Sequence, residues 1–94
     1  MENARAHIYI SGRVQGVFYR GFTQGLALNL KLKGWVRNLR DGRVEAVFEG
    51  VKEVIEEAIR QCRIGPPASR ITGIDIQWEA YNDQEKDFGV RYTA

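Results

Sequence analysis

Ninety-four residues carry one cysteine, Cys62, one histidine, His7, two prolines and no long apolar run, and each scarcity removes a class of explanation. A lone cysteine excludes an internal disulfide framework and supplies no pair of metal ligands. A cytoplasmic location is the expectation that follows. No stretch approaches the length of a membrane span, and Met1-Glu2-Asn3-Ala4-Arg5 has no apolar segment of the kind that opens a secretory signal, so a soluble chain without a membrane partner is expected. Internal repeats, low-complexity tracts and linkers are also missing. Neither Gly-Lys-Ser/Thr nor G-x-G-x-x-G occurs, which leaves nucleoside triphosphate and dinucleotide binding without support.

What is present is ordinary in bulk. The content is 44% apolar and 28% charged, and the length suits one domain, 1–94, with one core. A net charge of +2 with a pI near 8.9 is too weakly basic to argue for nucleic acid, and a monomer is expected. Arg37, Arg40 and Arg43 gather around a turn, where a solvated hairpin tip is favoured over a phosphate-attracting patch.

The periodicity is informative. Ala6-His7-Ile8-Tyr9-Ile10-Ser11 alternates as a strand, whereas Phe18, Phe22, Leu26 and Leu30 recur at four-residue spacing as a helix. Trp35 to Leu39 and Val44 to Phe48 read as strands joined by a hairpin at Asp41-Gly42, a pair that tolerates positive φ. Val51, Val54, Ile55, Ala58, Ile59 and Cys62 mark an amphipathic helix, with Glu53, Glu56 and Glu57 toward its start and Arg60 and Arg63 toward its end. Gly65-Pro66-Pro67 stops it. Cys62 falls on the apolar stripe and is read as packing. His7, in the first strand, is read as a packed or solvated imidazole rather than a general base. Ile74, Ile76 and Trp78 alternate with Asp75, Gln77 and Glu79 as a further strand, and Phe88, Val90 and Tyr92 mark a short last one. The order β-α-β-β-α-β predicts an α+β, ferredoxin-like sandwich: an antiparallel sheet, two helices on one face and an added short C-terminal strand.

Gly12-Arg13-Val14-Gln15-Gly16-Val17-Phe18-Tyr19-Arg20 joins the first strand to the first helix. Backbone N–H groups at a helix start lack intrahelical partners and carry partial positive charge, so a compact loop at this junction suits a small dianion. Gly12 and Gly16 permit close approach, and Arg20 adds a planar, permanently charged fork.

This segment and Gly34-Trp35-Val36-Arg37-Asn38-Leu39-Arg40-Asp41-Gly42 together resemble the acylphosphatase family, whose motifs run approximately G-x-V-Q-G-V-x-F/Y-R and G-W-V-x-N followed by a D-G turn. The likeness extends to Val44-Glu45, Gly50, Gly65-Pro66 and Phe88-Gly89-Val90-Arg91-Tyr92. It implies hydrolysis of acyl phosphates without metal or cofactor, with inorganic phosphate as product and inhibitor. It also implies Arg20 as the phosphate-binding arginine, backbone donors from Gln15, Gly16, Val17, Phe18 and Tyr19, and Asn38 as the other catalytic residue. By the two-residue strand period Asn38 shares a face with Gly34 and Val36, opposite Trp35, Arg37 and Leu39, and its amide can orient a water without holding a proton. The same layout leaves a non-catalytic phosphate sensor and an RNA-binding module as alternatives; Val44-Glu45-Ala46-Val47-Phe48 lacks the aromatic pattern of the latter. One departure stands out. Leu30-Lys31-Leu32 has lysine where the family usually has glycine, at a point where a left-handed residue would end the first helix.

Overall fold

The computed structural model describes residues 1–94. Its elements are β1 (Asn3–Arg13), α1 (Tyr19–Asn29), β2 (Lys33–Asn38), β3 (Val44–Val51), α2 (Lys52–Ile64), β4 (Arg70–Glu79) and β5 (Phe88–Val90). The strands form one sheet in the order β4-β1-β3-β2-β5. The first four are antiparallel to their neighbours, as expected, whereas β5 runs parallel to β2. The sheet is therefore mixed. The reason is topological: after β4 the chain crosses from one sheet edge to the other at the end where β4 finishes and β2 begins, so it can only enter beside β2 in β2's own direction.

Both helices lie on one face. Ala6, Ile8 and Ile10 of β1 point toward them and pair across the ladder with Phe48, Ala46 and Val44 of β3. Phe48 sits opposite a small residue, so the pair fills the core layer without crowding. From α2 come Ile55, Ala58, Ile59 and Cys62, all buried, as the spacing predicts.

Helix α1 departs from expectation in its face. Its buried row is Tyr19, Thr23 and Ala27, with Phe22, Leu26 and Leu30 flanking it, while Phe18 is 76% exposed. Phe18 precedes the helix with φ 66° and ψ 24°, so it is out of helical phase. Four-residue spacing found the helix but assigned Phe18 to the wrong side.

The end of α1 matches the sequence reading of Lys31, which takes φ 59°. Leu32 N–H donates to Ala27 C=O at 2.8 Å and Lys31 N–H to Leu28 C=O at 3.1 Å, the two bonds of a Schellman motif. Helix α2 is closed differently. Cys62 C=O would accept from residue 66, but Pro66 has no N–H. Tyr19 supplies the donor: its hydroxyl gives a 2.7 Å bond to Cys62 C=O, tying the start of α1 to the end of α2.

The other sheet face is covered by charge pairs and rings. Arg37 and Arg91 lie over Trp35 at 4.9 and 4.5 Å, and Arg43 lies over Tyr9 at 4.9 Å. His7 stacks on Tyr9 and reaches Glu45 at 2.5 Å and Glu79 at 3.2 Å. The imidazole is thus a packed group in a surface network, as read from the sequence.

Candidate active site

Where β1 ends, the ladder to β4 shifts register between Ser11 and Gly12. A Cβ on Gly12 would stand 2.1 Å from Arg70 C=O, at φ 124°, so this glycine serves the strand contact rather than the anion loop to which the sequence reading gave it. Val14 and Val17 then anchor the loop in the core. Between them Gly16 takes φ 74° with no atom near its missing Cβ, so conformation alone explains the glycine. Phe18, two residues on, is left-handed as well, at φ 66°. Helix α1 opens at Tyr19 with no side-chain cap and no acidic residue in its first turn. Its free N–H groups and partial positive charge are left for something else.

The loop and helix start form one wall of a cleft of about 320 Å³, to which Gly16, Phe18, Tyr19 and Arg20 contribute. Asn38 and Val90 contribute to the other. Arg20 has no carboxylate partner; Arg13, Arg40, Arg63 and Arg70 also lack one, whereas Arg5, Arg37, Arg43, Arg60 and Arg91 are ion-paired, and Arg20 is the arginine that lines the cleft. Asn38 reaches the cleft because it lies two residues beyond Val36, on the core-facing side of β2 and at the last register pair with β3. Its Oδ1 is buried without a hydrogen-bond partner. An orphaned acceptor of this kind is costly to keep. It is not used by the adjacent turn, which is closed by Leu39 and Arg43 and capped by Asp41 Oδ1 accepting from Arg43 N–H at 3.1 Å.

Of the loop residues, Gln15 and Val17 do not line the cleft. The Gln15 amide points to the β2–β3 turn, donating to Leu39 C=O at 2.7 Å and Arg43 C=O at 2.9 Å. Val90 is a lining residue that sequence reading missed. Its alternation was visible, but the pairing of Val36 with Val90 that brings it to the cleft was not. Nowhere does the chain assemble three His, Cys, Asp or Glu side chains placed to hold a metal ion.

Fold and cleft together define a class: a two-layer α+β sandwich whose cleft, at the start of the first helix, is half apolar and holds one arginine and one amide with no side-chain partner in the protein. The family model described as Acylphosphatase matches residues 6–90. The chain is similar to the acylphosphatase of Pyrobaculum aerophilum, 47% identical over 95 residues with 100% of both chains covered. It is similar also to that of Pelotomaculum thermopropionicum, 42% identical over 92 residues, covering 98% of this chain and 100% of the relative. Among solved structures, the acylphosphatase from Bacillus subtilis superposes with a TM-score of 0.92 at 35% identity, over 95% of this chain and 99% of that one. The chain belongs to the acylphosphatase family of hydrolases.

Proposed function

We propose that this chain hydrolyses the carboxyl-phosphate bond of acyl phosphates to carboxylate and inorganic phosphate by direct attack of water, with no metal or cofactor. The observation that carries the reading is the placement of an unpaired guanidinium and an amide side chain with no hydrogen bond to the protein in one cleft. Arg20 and the backbone N–H groups of the loop residues that line the cleft, Gly16, Phe18 and Tyr19, hold the phosphoryl oxygens and the charge that develops on them. The Asn38 amide hydrogen-bonds the attacking water and turns a lone pair of the water oxygen toward phosphorus. The water oxygen bonds to phosphorus as the bond to the acyl oxygen breaks. The carboxylate leaves without needing a proton, and the water's proton passes to a phosphate oxygen. No carboxylate or imidazole lines the cleft as a base, and a loose transition state needs little proton removal at first.

The reading is of a monomer acting in the cytoplasm on a small molecule, with no nucleic-acid partner. In its favour, Cys62 is a free, buried thiol whose pKa burial pushes up to about 11. On the open sheet face Trp35 and Tyr9 are covered by Arg37, Arg91 and Arg43, and these arginines are paired with Glu45, Glu85 and Asp41. The test is hydrolysis of benzoyl phosphate in excess EDTA with inorganic phosphate as competitor. Turnover with competitive inhibition is expected. Dependence on added Mg²⁺ contradicts the metal-free mechanism, and phosphate binding without turnover favours a sensor.

A further inference from the structure

We infer that Gln15 is a positioning residue that fixes the water-orienting half of the site against the phosphate-holding half. The inference rests on the proposed roles of Arg20 and Asn38. Those residues belong to different parts of the fold: Arg20 rides on the loop and first turn of α1, Asn38 on the last position of β2. Gln15 precedes Gly16 in the loop, and its amide spends both N–H donors on the β2–β3 turn, one on Leu39 C=O at 2.7 Å and one on Arg43 C=O at 2.9 Å. Leu39 follows Asn38 directly. Its C=O also accepts from Gly42 N–H at 3.1 Å, and Arg43 C=O accepts from Leu39 N–H at 2.8 Å. The two carbonyls that close the turn therefore each take two donors, one from the turn and one from Gln15.

Two donors set at the fixed angle of a planar amide, meeting two carbonyls of one turn, define an orientation as well as a distance. Losing them leaves each carbonyl with its turn bond, so stability should change less than registry. In-line attack needs the water oxygen within about 3–3.5 Å of phosphorus, and a displacement of about 1 Å costs on the order of 100-fold. A phosphate held by Arg20 and the loop moves with them, whereas Asn38 stays with the sheet.

The experiment is a double-mutant cycle with Gln15→Met, close in size but without donors, and Asn38→Ala. It is read by kcat for benzoyl phosphate and by the dissociation constant of inorganic phosphate. Gln15→Met is expected to lower kcat by about 10- to 100-fold and to leave phosphate affinity within about threefold. Placed on Asn38→Ala, it is expected to lower kcat by less than about threefold, because there is no longer a positioned amide to misplace. Gln15→Asn keeps the donors on a shorter stem that cannot span both carbonyls; it should repeat the pattern, and it supplies the reading if Gln15→Met does not fold. Unchanged kcat with a lowered unfolding midpoint makes Gln15 a structural residue only and overturns the inference. A full, additive loss on Asn38→Ala overturns the coupling while leaving the functional reading intact. Full kcat in Asn38→Ala alone contradicts the functional reading itself.

Discussion

At the scale of single residues the fold depends on Tyr19 more than its motif position suggests. Its ring packs in the core and its hydroxyl donates to the Cys62 carbonyl that Pro66 cannot serve; burial, then the nearby Cys62 groups, push its own pKa far up. Tyr19→Phe leaves that buried carbonyl without a donor. A loss of about 1–2 kcal/mol is expected by chemical denaturation, and an unchanged midpoint contradicts the assignment. The identity of Arg20 and Asn38 as candidate site residues was legible in the sequence because both stand inside local motifs. The clamp made by Gln15 was not, since its partners lie 24 and 28 residues away and nothing local separates a side chain aimed at a ligand from one aimed at a turn. Phe18 misled for a related reason. Its spacing is helical, and only the φ of the folded loop shows that it stands outside the helix.

At the scale of elements, strand and helix order followed from period and turn chemistry, down to the Asp41-Gly42 hairpin and the stop at Gly65. The direction of β5 did not. A three-residue strand carries too little pattern to choose its partner, and pairing was decided by where the preceding crossover emerged. The end of α1 gives an element-scale test. Lys31 is exposed and holds φ 59°, so its Cβ strain is balanced by no buried contact. Lys31→Gly is expected to stabilise the fold by about 0.5–1 kcal/mol, relief of that strain exceeding the entropy glycine adds to the unfolded chain. Equal or lower stability in denaturant titrations contradicts it.

At the scale of the whole molecule the two sheet faces are held by different means: one by an apolar core under the helices, the other by a charge network. Glu45 is central to the second. Burial raises its pKa, but hydrogen bonds from His7 and Arg37 outweigh this and hold the carboxyl below its ordinary 4.5. A carboxyl with a depressed folded pKa adds stability above the unfolded value, and that contribution disappears as pH falls through the folded one. Glu45→Gln should therefore be less stable than the parent at neutral pH, with the gap closing in acid below 4.5. A gap that stays constant across that range contradicts the network's part in stability. The central claim is a division of labour across one cleft, and the most direct measurement takes Arg20→Gln and Asn38→Ala side by side, with phosphate affinity by calorimetry and kcat from steady-state hydrolysis, both below the unfolding midpoint. Arg20→Gln is expected to lose both quantities. Asn38→Ala is expected to keep phosphate affinity near that of the parent while kcat falls by roughly two to three orders of magnitude; near-full kcat there, or a loss of phosphate binding as severe as that of Arg20→Gln, contradicts the account.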